Sequence, residues 1–470
     1  MRAAIRKLLA PRHIAVIGAS DTPGNFGGAA IRFMQKFNTP CAIWPVNPKR
    51  DSVLGLPCYA SPADLPEPAD LALLAVPAAA VADAVRACAA AGITAGIAWA
   101  GGFIEGGEEG RARQAELAAV CRELGFALQG PNCIGIIDTH APMIASFASM
   151  LRDFDTLHRG AISMVSQSGG LATIAHAMAQ QSGQGFRYMI SAGNEAVLTA
   201  ADFIEALAED DATRVIAVYL EGAPDIARVQ HALRCAAAAG KPVVVLKSGR
   251  TPASAAAAAA HTGALAGDAD AWDRVFRATA AIPAESLEEM LDIALHLAAA
   301  IRLPRGRGVA AVTFGGGSGV LSADQCDRVG LHVRPLSSTT RAALRDKVPP
   351  LASTHNPVDL TPQAYADPKW LQVFPQALDL ITADPVSDTV FFQCGPMARG
   401  ELELADIIGA LQARIQAPVI VAWPLASQAV RDRLLSHGLH AFGEYSRAVR
   451  VLGRLATYAE DRAATNRVQD

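Results

Sequence analysis

Short runs of β-branched, aromatic and aliphatic residues recur along the chain, each closing near a glycine, serine or proline and each followed by an alanine- and leucine-rich stretch of helical length. That alternation predicts an α/β protein built on parallel sheets. The first block offers strands over 13–18, 41–46, 70–76, 94–100 and 126–130, with helices over 78–91 and 107–124. A second starts near 159, places strands over 161–166, 186–191, 214–220 and 242–247, and ends near 302. The segment 301–308, rich in Pro, Gly and Arg, reads as a linker into a third block with strands over 308–314, 388–394 and 418–424. No short-period repeat runs through the chain, so the blocks share architecture and not sequence. The fold class expected is three consecutive doubly wound parallel-sheet domains, bounded at 1–145, 155–302 and 307–462. Ligands of open α/β sheets bind at the carboxyl ends of strands, beside helix N-termini, so the chemistry is expected in the turns just after these strands.

Composition narrows the functional classes. The 470 residues allow two to four domains, and 51% apolar with 18% charged residues describes a globular protein. With 41 basic against 45 acidic residues and no basic block, no nucleic-acid partner is expected. The eight cysteines are scattered without a C-x-x-C pair or metal-type clustering, which fits a reducing cytoplasm. The basic, amphipathic start MRAAIRKLLAPRH lacks a signal peptide's apolar run and reads as a surface helix. Elsewhere no apolar stretch reaches the ~20 residues of a membrane span, so no membrane embedding is expected.

All five strand ends of the first block carry specific turn chemistry. The first is followed by GASDTPGNFGG, with Gly18, Gly24, Gly27 and Gly28 leading into a helix. Such a turn lets backbone N–H groups approach a phosphate, although a plain strand-to-helix turn explains the glycines equally well. The fingerprint G-x-G-x-x-G is absent, and the second strand is followed by PVNPKR where a dinucleotide site would carry an acidic residue. Lys49 and Arg50 would attract a further phosphate, pointing to CoA or, less well, to NADP. Further turns are AVPAAAV (75–81), AGGFIEGGEEG (100–110) and GPNCIGI (130–136).

The ordered set IGAS, PVNPK, AVP, GGF-x-E and GPNC-x-GI resembles the CoA-binding domain of nucleoside-diphosphate-forming acyl-CoA synthetases, the family of succinyl-CoA synthetase and ADP-forming acetyl-CoA synthetase α subunits. The resemblance covers nearly the whole chain and implies a Rossmann-like CoA-binding domain followed by two flavodoxin-like domains. It implies that CoA is cradled by Gly18, Ala19, Ser20, Gly24, Asn47, Pro48, Lys49, Val76 and Pro77, with Gly101, Phe103 and Glu105 contributing. The thiol end would point toward Asn132 and Cys133. For Cys133 a buried structural thiol is the favoured reading over a reactive one.

In the second block, SQSGG (Ser166, Gln167, Ser168, Gly169, Gly170) ends a strand where a helix should start, and its N–H groups suit a phosphate or, more plainly, a helix cap by Ser166 or Ser168. YLEG places Glu221 at the same edge, where a surface carboxylate is the ordinary expectation. KSGRT at 247–251 followed by HTGALAG at 261–267 resembles the family's phosphohistidine segment. This implies that His261 carries the phosphoryl group and that Glu221 orients its imidazole, one ring nitrogen becoming phosphorylated while the other donates to a carboxylate. In the third block TFGGGSG, with Gly316, Gly317 and Ser318, matches the place of a second phosphate-facing helix, a packing cluster being the alternative. NPVDL (356–360) reads as a turn without chemistry.

The implied reaction is acid + CoA + ATP giving acyl-CoA + ADP + phosphate, reversibly. Nothing in the chain resembles an ATP-grasp module, so the resemblance implies a separate nucleotide-binding subunit in a hetero-oligomer, with ATP or ADP and Mg²⁺ on that partner and a small carboxylic acid or acyl-CoA as substrate. No metal ligands are read in this chain. Val197, Ala260 and TFGGG depart from the family pattern, and a helix start at Thr199 with Asp202 three residues on is expected to offset the loss at Val197. The other classes are a non-catalytic CoA-binding protein and an NADP-dependent oxidoreductase.

Overall fold

A computed structural model describes residues 2–254, 269–397 and 399–469. The chain forms two compact units, Met1–Leu287 and Glu288–Asp470. The first contains two large sheets, besides the short antiparallel pair Ser52–Val53 and Leu56–Pro57. One is parallel throughout, in the order Ala42–Val46, His13–Ile17, Leu71–Leu74, Ala95–Ala98, Ala127–Gln129. Its inner strands Leu71–Leu74 and Ala95–Ala98 are buried at every residue, as expected where helices cover both faces.

The second sheet has five parallel strands in the order Ile282–Ala284, Val243–Lys247, Val215–Leu220, Ile162–Ser166, Phe186–Ser191. Two antiparallel strands, Gly135–Asp138 and Met143–Ser146, extend it beyond Phe186–Ser191. Here the structure differs from the expectation that the first block runs through 145. The hairpin leaves the first sheet after Gln129 and pairs with the second, burying Ile136, Ile137, Ile144 and Ala145. Asp138 anchors it: its Oδ1 accepts the His140 N–H at 2.7 Å and pairs with the Arg187 guanidinium from the adjoining strand. That carboxylate is almost fully enclosed, with 2% of its side chain exposed. The opening helix Arg2–Leu9 is amphipathic as expected, and its Ile5, Leu8 and Leu9 are buried within this unit.

The second unit carries a third parallel sheet, in the order Val358–Asp359, Val309–Thr313, Thr389–Gln393, Val419–Ala422, Ala441–Phe442. Val358 and Asp359, expected in a turn, form an edge strand instead because Asn356 ties the preceding loop down: its amide donates to Val309 O at 2.7 Å and accepts from Ala311 N at 2.9 Å. The helix Leu287–Ala299, expected to close the second block, lies almost wholly in this unit. Its buried Asp292 and Glu289 are held by Arg447 at 2.7 Å and Arg454 at 2.9 Å from the long C-terminal helix.

The parallel strands of the three large sheets share one order, second, first, third, fourth, fifth, so each reverses direction between its first and third parallel strands. No described helix is long and apolar enough to cross a membrane. Replacing Asp138 by Ala strands the half-buried Arg187 charge and opens the hairpin's turn. A loss of about 3 kcal/mol in unfolding free energy is expected, read by urea denaturation monitored by circular dichroism.

Candidate functional site

Both large sheets of the first unit present their specific turns at the point where strand order reverses. In the first sheet, Gly18 follows His13–Ile17 with φ +83°, and a Cβ there would stand 2.6 Å from Ala75 O and 2.9 Å from Val76 Cγ1. Glycine thus lets this turn nest against the Ala75–Pro77 turn of the neighbouring strand. Asn25 holds the loop in shape. Its Oδ1 accepts from Gly28 N at 2.8 Å, capping the helix Phe26–Lys36, and from Ser20 N at 3.1 Å, while its Nδ2 donates to Gly18 O at 3.2 Å. Gly28 packs so closely that a Cβ would meet Ser20 O at 2.0 Å. Gly24 is glycine for its φ of +85° alone, having open space where a Cβ would stand.

The PVNPKR turn closes over this loop. Asn47 donates from Nδ2 to Ala19 O at 2.8 Å and accepts from Lys49 N at 3.0 Å. Arg50 reaches the Ser20 turn, 3.2 Å from Thr22 Oγ1 and paired with Asp21 at 3.0 Å, while Pro48 and Lys49 are exposed. One phosphate-compatible guanidinium, shared with Asp21, therefore stands beside the Ser20 turn.

The remaining turns of this edge converge on one side chain absent from the sequence reading. Asn194, in the loop after Phe186–Ser191, donates to Glu105 Oε2 at 2.6 Å and to Gln114 Oε1 at 3.2 Å, and accepts from Asn132 Nδ2 at 3.2 Å. Glu105 in turn accepts from Gly102 N at 2.6 Å, shaping the Gly101–Phe103 turn. Burial works to raise the Glu105 carboxyl, but hydrogen bonds from Asn194 and the turn's backbone outweigh it and hold it below the usual range. Two of the expected side chains are enclosed by protein. Phe103 is fully buried in the first sheet's core, and Cys133 is buried with its thiol donating to Ala98 O at 3.3 Å. Burial pushes the Cys133 thiol up to about 12.

In the second sheet, Ser166 ends its strand and donates to Ser168 O at 2.6 Å; Ser168 caps the helix Gly169–Gln181, its Oγ accepting from Leu171 N at 3.3 Å. Gly169 is packed under Ile134, 2.5 Å from where a Cβ would sit, whereas Gly170 opens to solvent. Gln167 crosses to the next turn: Oε1 accepts from Glu221 N at 2.6 Å and Gly222 N at 3.2 Å, and Nε2 donates to Gly222 O at 2.8 Å. The structure thereby brings the SQSGG turn and Glu221 together. The Glu221 carboxylate is buried and accepts from the Tyr219 hydroxyl at 3.4 Å. Lys247, at the head of KSGRT, donates to Glu221 O at 2.8 Å and to Ser248 O. Burial and, secondarily, Arg250 push its ammonium down to about 8 against the pull of Glu221. His261 and Ala260 lie outside the described residues.

Behind Gln167 lies a second acid missed by sequence reading. Glu195 adopts φ +56°, and its Oε1 accepts from Ala200 N at 2.8 Å at the start of the helix Ala200–Ala208. Burial pushes its carboxyl up to about 7, against hydrogen bonds from Ala200 and Gln167. A cavity of about 70 Å³ adjoins it. Thr199 caps that helix with Asp202 as expected, both the Thr199 N–H and hydroxyl donating to Asp202 Oδ2 at 2.8 Å. Val197 packs on the first sheet's core.

A CoA binding domain model matches residues 12–139, a succinyl-CoA ligase-like flavodoxin domain model 159–297, and a ligase-CoA domain model 309–467. Among curated relatives, the acetate–CoA ligase [ADP-forming] II subunit alpha of Pyrococcus furiosus is 34% identical, covering 82% of this chain and 81% of that protein. The chain belongs to the ADP-forming acyl-CoA synthetase family. Acetate–CoA ligase [ADP-forming] I of Archaeoglobus fulgidus is 33% identical over 97% of this chain, which spans 64% of that relative's length. The structure of the apo dinucleotide forming acetyl-coenzyme A synthetase 1 of Ca. Korarchaeum cryptofilum superposes with a TM-score of 0.87 at 27% identity, covering 99% of this chain and 100% of that one.

In the second unit of this family member, the TFGGGSG turn begins the helix Gly316–Arg328 without a side-chain cap. Ser318 Oγ is bound to Thr313 Oγ1 at 2.6 Å, and Gly316 and Gly317 are exposed. A Cβ at Gly319 would stand 3.2 Å from Pro357 Cβ, and one at Gly316 3.2 Å from Asp359 Oδ2, while Gly317 has open space there.

Alkylation checks the enclosure of Cys133 directly. Because burial raises Cys133 to about 12, iodoacetamide at pH 8 should leave it unmodified in the native protein and alkylate it only after unfolding, as read by peptide mass spectrometry.

Proposed function

We propose that the chain is the CoA-binding, phosphohistidine-carrying part of an ADP-forming acyl-CoA synthetase, catalysing acid + CoA + ATP to acyl-CoA + ADP + phosphate. The observation that carries this reading is the Gln167 bridge, which holds an open helix N-terminus at Gly170 beside the buried Glu221 carboxylate. A helix N-terminus favours a dianion, and a carboxylate fixes an imidazole tautomer; together they suit a phosphorylated histidine.

In the acyl-CoA-consuming direction, phosphate oxygen attacks the thioester carbonyl and CoA leaves as the thiolate, giving an acyl phosphate. An imidazole nitrogen of His261 then attacks phosphorus, the carboxylate departs, and the other ring N–H donates to Glu221. ADP finally takes the phosphoryl group from His261. The Gly18–Ser20 cradle with Asn47, Lys49 and Arg50 receives the phosphorylated end of CoA, and Asn132 faces its thiol end. The exposed Gly316 and Gly317 N–H groups are proposed as a second phosphate-facing helix start. Nucleotide and Mg²⁺ belong to an ATP-grasp module, on a partner subunit or in the same polypeptide. A buried Cys133 thiol and a core Phe103 side chain leave CoA recognition to backbone and polar groups.

Incubation with an ATP-grasp partner and labelled ATP should give an acid-labile, base-stable phosphate that is absent from His261→Ala. Glu221→Gln should slow its formation by on the order of a hundredfold by loosening the tautomer. Retention of the label in His261→Ala, or CoA binding by the wild type without any label, would reject the phosphohistidine. Gly28→Ala, whose methyl group must displace Ser20, should weaken CoA binding about tenfold or more by calorimetry without preventing phosphorylation from the nucleotide side.

A further inference from the structure

The helices Ala200–Ala208 and Ile226–Ala238 follow the Thr199 cap and the Glu221 turn, and they bring Glu205 of the first beside His231 and Cys235 of the second. His231 and Cys235 are four residues apart on one helix, hence on one face. Glu205 faces them from the other. The His231 Nε2 stands 3.6 Å from Cys235 Sγ and 3.7 Å from Glu205 Oε1, and the three ligand atoms lie within 4.8 Å of one another. Two ligands bound to a tetrahedral zinc at about 2.0–2.3 Å stand about 3.3–3.5 Å apart, so two of the three separations need almost no adjustment.

We propose that Glu205, His231 and Cys235 form a binding site for a zinc-class divalent cation, with water in the fourth position. The ligand types select the ion: thiolate and imidazole favour zinc or cobalt over magnesium or calcium. Surrounding charge fits too. Arg228 pairs with Glu205 and, at 3.0 Å, with Asp202, so that with a Cys235 thiolate the three negative and one positive groups leave a charge of −2 for a divalent ion to neutralise. Arg228 holds both oxygens of the Glu205 carboxylate, Nη1 on Oε1 and Nη2 3.1 Å from Oε2, so the ion would share Oε1 with the guanidinium through that oxygen's other lone pair, Arg228 acting as the outer partner that orients the carboxylate. An entry path exists, since the His231 side chain is 64% exposed. The scattered cysteines gave no metal-type pattern because the cluster is assembled by helix packing. Metal bound here would staple the helices that follow the Glu195 loop and the Glu221 turn.

The test uses tag-free full-length protein stripped with chelator under reducing conditions and titrated with Co²⁺. One equivalent should produce thiolate-to-cobalt charge-transfer and tetrahedral d–d absorption, both bleached by Zn²⁺ and unaffected by a large excess of Mg²⁺. Cys235→Ser should abolish the charge-transfer band, His231→Ala should weaken binding at least tenfold, and His231→Cys, offering another soft ligand at the same place, should retain it. Zn²⁺ should raise the unfolding temperature of the wild type and not of Cys235→Ser. The proposal is overturned if no charge-transfer absorption appears, if the band survives in Cys235→Ser, if Mg²⁺ competes equally, or if Zn²⁺ leaves the wild-type unfolding temperature unchanged.

Discussion

One primary amide holds the central edge of the first unit together. Gln167 sits at the end of the Ile162–Ser166 strand and uses both ends of its side chain on the backbone of Glu221 and Gly222, at the end of the neighbouring Val215–Leu220 strand. Parallel strands splay where their connections depart in opposite directions, and that gap is where an open sheet offers space to a ligand. Gln167 sets its width. It also satisfies three backbone groups that would otherwise face a partly buried cleft without partners. Glu221 is thereby held by its main chain, leaving its carboxylate's direction to Tyr219 and the surrounding wall.

The phosphate-compatible turns were legible in the sequence because glycine marks them for a physical reason. Gly18 and Gly28 are the only residues that fit against Ala75 O and Ser20 O, and Gly169 the only one that fits beneath Ile134. Gly28 meets Ser20 within one strand–turn–helix unit, while Gly18 and Gly169 meet residues distant in the chain; all three are legible because the glycines cluster just after a strand, where residue order shows them. The inner strands were legible as well, since burial on both faces requires continuous apolar runs.

What escaped the sequence depends on residues far apart in the chain. Asn194 and Glu195 had no local signature: one works through Glu105, Gln114 and Asn132, the other through Ala200 and Gln167. The hairpin of Gly135–Asp138 and Met143–Ser146 could not be assigned to the second sheet without knowing that Asp138 meets Arg187. Edge strands of two or three residues, such as Val358–Asp359 and Ala441–Phe442, are too short to show alternation. Likewise Leu287–Ala299 reads as an ordinary amphipathic helix, and only its buried carboxylates, matched by Arg447 and Arg454, reveal where it packs.

Asn194 and Glu195 are consecutive, yet they face opposite ways. The first is fastened to the turns that cradle the expected thiol end of CoA, the second to the floor beneath Gln167, and the positive φ between them leaves little torsional slack. The spacing of the Glu105 turn and the Gln167 bridge is therefore tied to a single dipeptide, like the pin of a hinge with no play. A shift of a few tenths of an ångström on one side must be answered on the other or break a hydrogen bond.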